Sequence, residues 1–121
     1  MKADYYRRMD NTFTICYEPF VFNMVSNNAY LEGDKLPLTP REFSLLLGFV
    51  KNSGTIIGAE DIYTNFWEIP VNGDFSYLHK TISILRKKLS QAACVYTISH
   101  VHGKGYCFQE RDGHWMERDT N

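Results

Sequence analysis

Polar and basic side chains recur at helical spacing along the segment Phe75–Ser90, and none of them is acidic. Plotted at 100° per residue, the outward side of this segment carries Ser76, His79, Lys80, Ser83 and Lys87, with Arg86 on its flank. Hydroxyl, imidazole, ammonium and guanidinium groups form hydrogen bonds with base edges and phosphates. The stripe is therefore a candidate surface for nucleic acid, and a merely solvated helix face is the simpler alternative.

The charges of the chain are divided unevenly. No Asp or Glu lies between Asp74 and Glu110, and the basic residues of that interval are Lys80, Arg86, Lys87, Lys88 and Lys104. The whole chain has 13 basic and 14 acidic residues, so the remainder is strongly acidic. A pI near 6.4 is low for a nucleic-acid binder. The local asymmetry nevertheless predicts one face for a polyanion on an otherwise acidic domain.

Three predicted helices position this stripe. The residues on its opposite side are apolar at spacings i, i+4, i+7 and i+11, which is typical of a helix packed on a core, and they are Leu78, Ile82, Leu85 and Leu89. Asp74 is the predicted N-cap of this third helix. The first helix begins at the capping box Thr39-Pro40-Arg41-Glu42, and the second spans Ala59 to Trp67 after Gly58.

Short strands flank the helices. Residues 11–25 predict two strands interrupted at Pro19, and a hairpin follows with its turn at Gly33 and Asp34. Residues 55–57 predict only a bridge of extended chain. Near the end, Val95–Ile98 and Tyr106–Phe108 predict two strands joined by a tip at which two glycines flank Lys104.

Composition excludes several classes of protein. The 121 residues are 44% hydrophobic and include 18 aromatic side chains, which predicts one globular domain. The sequence contains neither an apolar run long enough to span a membrane nor a secretory signal. Cys16, Cys94 and Cys107 are odd in number and lack CxxC spacing, which favours a reducing cytoplasm. We expect neither an enzyme nor a cofactor, because no nucleophile and base set or phosphate-cradling loop is present.

Three helices with a basic third helix, followed by a hairpin with a basic tip, form a winged helix-turn-helix plan. The chain resembles the DNA-binding domain of the OmpR/PhoB family over residues 11–108. The residues that carry the resemblance are Leu38-Thr39-Pro40-Arg41-Glu42-Phe43, Trp67, Ile82-Ser83-Ile84-Leu85-Arg86-Lys87-Lys88-Leu89 and Val101-His102-Gly103-Lys104-Gly105-Tyr106-Cys107-Phe108. The resemblance implies an α+β fold with a four-stranded N-terminal antiparallel sheet, a three-helix core and a C-terminal β-hairpin wing, used in bacterial transcription control.

The resemblance also implies a domain plan: a flexible N-terminus at residues 1–10, the winged helix at 11–108, and a tail or linker at 109–121. Response regulators carry a receiver domain ahead of this module, for which the sequence leaves no room. Leu78 and the residues from Ile82 to Lys87 look more like the ToxR/CadC branch, whose members place a membrane span after the module. We therefore expect a stand-alone regulator or the cytoplasmic part of a membrane-anchored one.

The side of the helix on which each residue lies, together with its place in the family pattern, implies a role for each residue of the stripe and the wing. Ser76, His79, Lys80 and Ser83 would approach bases, Arg86 and Lys87 would meet the DNA backbone, and the wing would bring His100, His102 and Lys104 to the duplex. The family commonly has arginine where His102, Ser83 and Ile84 stand here. The resemblance therefore implies modest affinity for double-stranded DNA, for which a homodimer on a tandem site would compensate.

Several alternatives remain open at this stage. Binding to DNA would strengthen as the pH falls through about 6.5 if the histidines gain charge on the DNA face. His100, His102 and Cys107 form a weaker candidate metal site. The loop at residues 68–74, with Ile69 and Val71, would contact RNA polymerase or serve as a plain connector. A winged helix that binds a protein partner instead of DNA is the alternative function.

Overall fold

The computed structural model describes residues 5–9 and 12–111, which form two antiparallel sheets and three helical regions. The first sheet holds five strands side by side in chain order: β1 Tyr5–Met9, β2 Thr12–Tyr17, β3 Phe20–Asn23, β4 Asn28–Leu31 and β5 Asp34–Lys35. The helical elements are α1 Pro40–Lys51, α2 Ala59–Asp61 with its π-helical continuation Ile62–Trp67, and α3 Ser76–Gln91. The remaining strands are β6 Ile56–Ile57, β7 Tyr96–Val101 and β8 Gly105–Glu110, with β8 in the centre of the second sheet. The predicted α+β winged helix is confirmed.

One core joins the first sheet to the rest of the domain. Phe20 and Phe22 lie on the same side of β3 and are fully buried. The Phe22 ring meets Phe43 of α1 edge-on at 5.7 Å between centroids, and the Phe20 ring lies 6.0 Å from Phe108 of β8. Aromatic side chains contribute much of the buried apolar area in a small domain. The sheet, the helices and the wing therefore stabilise one another.

The N-terminal segment differs from its prediction. Residues 5–9 were expected to fray, but they form β1 and pair with β2 from Tyr5 opposite Cys16 to Met9 opposite Thr12. The first sheet consequently has five strands, and the expected four-stranded sheet is wrong. Sheet pairing uses main-chain N–H and C=O groups, which any residue except proline supplies, so a polar segment can join a sheet without a hydrophobic pattern. The predicted turn residue Asp34 instead begins β5.

The capping box at the start of α1 is confirmed. Thr39 Oγ1 accepts a hydrogen bond from the Glu42 N–H at 3.2 Å, and Glu42 Oε1 accepts one from the Thr39 N–H at 3.0 Å. Glu42 is only 4% exposed, and its Oε1 also lies 2.6 Å from Lys88 Nζ of α3. The carboxylate therefore fixes the start of α1 and ties it to α3.

The second helix is irregular. It was predicted as one helix from Ala59 to Trp67, but only Ala59–Asp61 is α-helical, and Ile62–Trp67 is π-helical. A Cβ atom added at Gly48 of α1 would lie 2.6 Å from the Phe66 ring, so α1 and the π-helical segment pack closely. Trp67 is buried, and its Nε1 donates a hydrogen bond to the Arg41 carbonyl at 3.1 Å.

The third helix begins one residue later than predicted and ends at Gln91. Phe75 is its N-cap, so the prediction of Asp74 in that role is wrong. Asp74 Oδ1 nevertheless accepts hydrogen bonds from the Ser76 N–H at 3.0 Å and the Ser76 hydroxyl at 2.8 Å. The predicted apolar stripe is buried, and its members are Leu78, Ile82, Leu85 and Leu89. No helix among the described residues is long and apolar enough to cross a bilayer.

The wing strands are longer than predicted. β7 runs to Val101 and β8 to Glu110, so His100 lies in a strand and β8 includes residues 109–110. Ile56 and Ile57 pair with Cys107 and Tyr106, so the expected bridge is a third strand of this sheet. Residues 112–121 of the predicted tail or linker lie outside the described residues.

All three cysteines are buried thiols. Burial raises the pKa of the Cys94 and Cys107 thiols above their ordinary value, and it raises the pKa of the Tyr96 and Tyr106 hydroxyls as well. Buried thiols with raised pKa values are poor nucleophiles. Cys94 and Cys107 therefore serve as small apolar residues of the core rather than as reactive thiols.

The raised thiol pKa values predict a loss of stability in alkaline solution. Below a pH of about 8.5, both the folded and the unfolded chain keep these protons, and the stability is fully present. Above that pH the unfolded chain releases them first, so the free energy of unfolding falls as the pH rises toward the folded-state pKa values. Urea denaturation at pH 7.5, 8.5 and 9.5 would measure this fall. The double variant Cys94→Ala, Cys107→Ala is expected to show a shallower decline, and an equally steep decline would contradict the assignment to these thiols.

Candidate DNA interface

The outward face of α3 is organised as the sequence predicts. Ser76, His79, Lys80, Ser83 and Lys87 are exposed, and Arg86 is half-buried. Around the helix axis these residues cover the side opposite Leu78 and Leu89, which are fully buried. An exposed row of hydrogen-bonding groups is thus presented on a helix that the core holds in place.

Tyr77 and Ile84 also lie on this face, although they were not among the predicted site residues. Tyr77 is 49% exposed and Ile84 is 38% exposed, and both lie beside Lys80. The sequence contains a signal for their exposure. Each residue directly precedes a member of the buried apolar stripe, and neighbouring helical residues are rotated by 100°, so each lies away from the stripe. The outward face of α3 therefore includes two apolar groups as well as polar ones.

The side of α3 nearest the wing forms a shallow depression of about 220 Å³. Its lining residues are His79, Ile82, Ser83, Arg86, His100 and Tyr106. The centroid of the Tyr106 ring lies 6.1 Å from that of His79 and 5.0 Å from that of His100. Four of the predicted site residues, from both the helix and the wing, are therefore brought to one place.

Arg86 connects α3 with the wing. Its Nε donates a hydrogen bond to the Ile98 carbonyl of β7 at 2.6 Å. Hydrogen bonds from a charged donor are among the stronger ones in proteins. Arg86 therefore helps to set the angle of the wing, in addition to the phosphate contact that the sequence predicts for it.

Lys88 does not contribute to the basic face. Its Nζ lies 2.6 Å from Glu42 Oε1 and donates a hydrogen bond to the Pro37 carbonyl at 2.7 Å. Of the five basic residues counted between Asp74 and Glu110, only four therefore remain available to this surface. The basic residues that remain for it are Lys80, Arg86, Lys87 and Lys104.

The tip of the wing carries His102 and Lys104, both exposed. The Lys104 N–H donates a hydrogen bond to the Val101 carbonyl at 2.9 Å, which closes the turn. Gly103 has φ +76 at the centre of this turn, a conformation that glycine adopts without strain. The tip is therefore a tight turn that presents a cation to solvent, as predicted.

The geometry does not favour the metal alternative. Ser99 and His100 are opposite Cys107 and Tyr106 in the hairpin, so Cys107 and His100 lie on different faces of the sheet. Cys107 is also buried. Within residues 5–9 and 12–111, no group of three or more His, Cys, Asp or Glu side chains is placed to hold a metal ion.

The connection between the π-helical segment and α3 is only partly exposed. Glu68 has φ 55, which ends the π-helical segment in a left-handed conformation. Val71 is exposed as expected, whereas Ile69 is partly buried against the core. A protein contact at this loop would therefore involve Val71 rather than both apolar residues.

The pattern that defines a family of transcriptional regulators, described as "Transcriptional regulatory protein, C terminal", matches residues 33–108. The chain belongs to this family. Its members are DNA-binding domains of the OmpR/PhoB type, so the resemblance drawn from the sequence is confirmed.

Two relatives of this OmpR/PhoB-type domain illustrate the likeness in sequence. Regulatory protein VanRB of Enterococcus faecalis is 37% identical over 79 residues, which cover 65% of this chain and 34% of VanRB. Transcriptional regulatory protein CiaR of Streptococcus pneumoniae is 25% identical over 100 residues, which cover 83% of this chain and 45% of CiaR. The chain therefore spans less than half the length of these relatives.

Two solved structures share the fold. The DNA-binding domain of Klebsiella pneumoniae RstA, in complex with the RstA box, has a TM-score of 0.65 and 28% identity, covering 79% of this chain and 96% of that one. The DNA-binding domain of Escherichia coli CadC has a TM-score of 0.64 and 26% identity, covering 77% and 88%. Because the two structures are similar to this chain to nearly the same extent, assignment to the ToxR/CadC branch stays a prediction.

Proposed function

We propose that this chain is the DNA-binding unit of a bacterial transcriptional regulator and that it acts in the cytoplasm without catalysis. The observation that carries the proposal is the continuous exposed surface from α3 to the wing tip, with its four cations. In this proposal α3 enters the major groove, and the wing lies against the minor groove or the backbone. Family membership and the DNA complex of RstA support duplex DNA as the partner.

The proposed contacts follow the exposure of each side chain. Lys80 and His79 stand where they would meet base edges, together with Ser76 and Ser83. Phosphates would be met by Arg86 and Lys87, and by the wing residues His100, His102 and Lys104. The Ser76 hydroxyl is engaged with Asp74 in the unbound chain, so its contact requires a rotation of that hydroxyl.

The proposal includes further partners. One is RNA polymerase, which the 68–74 loop would contact through its exposed residue Val71. A second copy of the chain on an adjacent DNA site would raise the effective affinity. A winged helix that binds only proteins is the second candidate, and it is favoured by the pI near 6.4 and by the absence of arginine at Ser83 and Ile84.

Binding to DNA is expected to be steeply dependent on salt. With about four cations engaged, the affinity for duplex DNA should fall about 10²-fold between 50 and 200 mM salt. Lys87→Ala should weaken binding to all sequences and reduce the salt slope by about one, whereas Lys80→Ala should also change sequence preference. Fluorescence anisotropy with a labelled duplex measures both quantities.

Lys35→Ala is a matched control, because it removes the same charge from exposed strand β5. It is expected to leave affinity and salt slope unchanged. Equal losses for Lys35→Ala and Lys87→Ala would show that only net charge matters. No binding by the wild type at low salt would overturn the DNA proposal in favour of the protein-binding alternative.

A further inference from the structure

Two apolar side chains interrupt the outward face of α3. Tyr77 and Ile84 are seven residues apart, two helical turns, so they lie on the same side of the helix. With Lys80 they line a groove of about 350 Å³ whose other wall is the start of α1 at Thr39, Pro40 and Arg41. Single exposed apolar residues need no explanation, but two in one groove beside a proposed DNA contact indicate a specific partner.

The chemistry of the groove favours DNA as that partner. Lys80 and Arg41 supply positive charge, while Glu42 in the same wall is buried and paired with Lys88. The electrostatics therefore suit a polyanion. The major groove of B-DNA presents one apolar group, the C5 methyl of thymine, and aliphatic or aromatic side chains contact it.

Both side chains are held in position before any ligand binds. The Tyr77 ring lies 5.4 Å from the buried ring of Trp67, which is itself tied to the Arg41 carbonyl by a hydrogen bond. Ile84 is β-branched, which leaves it one strongly preferred χ1 rotamer in a helix. Little side-chain entropy is therefore lost when these groups meet a base.

We propose that Tyr77 and Ile84 are specificity-determining residues that contact thymine methyl groups in the major groove. This inference rests on the proposed DNA-binding function and names the base preference within it. Seven helical residues span about 10 Å, and base pairs are stacked every 3.4 Å. When α3 lies along the groove, the two thymines are therefore separated by about three base-pair steps.

The test begins with the wild-type chain and a pool of random-sequence duplexes, from which bound DNA is enriched and sequenced. In the most enriched duplex each thymine is then replaced singly by uracil, which removes the methyl group and preserves base pairing. We expect uracil to weaken binding about three- to fivefold at two positions, the effect of exposing one buried methyl. Ile84→Ala should be insensitive to uracil at one of these positions and Tyr77→Ala at the other.

Val25→Ala is the matched control, since it truncates an exposed apolar residue outside this face. Its binding to DNA is expected to weaken on uracil replacement at both positions, as the binding of the wild type does. Enrichment of a sequence at which no thymine can be distinguished from uracil would overturn this inference and leave the proposed function standing. Absence of any bound duplex would overturn both.

Discussion

Replacing Gly105 with alanine is expected to destabilise the domain by about 3 to 5 kcal/mol. Gly105 begins β8 with φ +147, and a Cβ atom there would lie much closer to the Ile57 carbonyl oxygen of β6 than van der Waals contact allows. Because the Ile57 carbonyl belongs to the main chain, it can move away only if the pairing of β6 with β8 is broken. Urea unfolding followed by circular dichroism measures the loss.

Gly103→Ala separates the two causes of this loss. Gly103 also has a positive φ, +76, but an added Cβ would meet nothing within 4 Å. Its substitution is expected to cost only the backbone strain, about 1 to 2 kcal/mol. Equal losses at the two glycines would show that the close approach of Ile57 to β8 is unimportant.

Replacing Lys88 with methionine is expected to cost about 2 to 4 kcal/mol of unfolding free energy, because it leaves the buried Glu42 carboxylate without its counter-charge. Lys87→Met is the matched control. Lys87 is exposed on the adjacent position of α3, and its substitution should change stability by less than about 0.5 kcal/mol. Thermal unfolding of the two variants side by side gives the comparison.

The double variant Glu42→Gln, Lys88→Met tests whether the loss comes from the charge left on Glu42. Glutamine can still accept a hydrogen bond from the Thr39 N–H, and it removes the unpaired buried charge. The double variant is therefore expected to be more stable than Lys88→Met alone. A double variant that is less stable than Lys88→Met would contradict the assignment of the loss to an isolated carboxylate.

The elements that were predicted correctly are those specified by residues close together in the chain. The capping box joins Thr39 to Glu42 within one turn, and the apolar stripe of α3 repeats from Leu78 to Leu89. The wing turn depends on Gly103 between neighbouring residues. Such patterns can be read in one sequence because their energetics are local.

Elements that depend on distant partners were missed or misjudged. β1 is held by main-chain pairing with β2, and Ile56–Ile57 becomes a strand only because β8 lies beside it. The π-helical turn after α2 coincides with the close packing of Phe66 on Gly48 of another helix. Neither hydrophobic periodicity nor the residues typical of turns indicate contacts between distant segments.

The sequence by itself determined the fold class, the third helix and the polar side of that helix, because helical periodicity and charge are properties of neighbouring residues. Only the tertiary structure decided how that surface is completed. It removed Lys88 from the basic face by pairing it with Glu42, 46 residues away, and joined Arg86 to the wing at Ile98. It also placed Tyr77 and Ile84 beside the start of α1. These outcomes depend on which elements pack together, and packing brings together residues that are far apart in the chain.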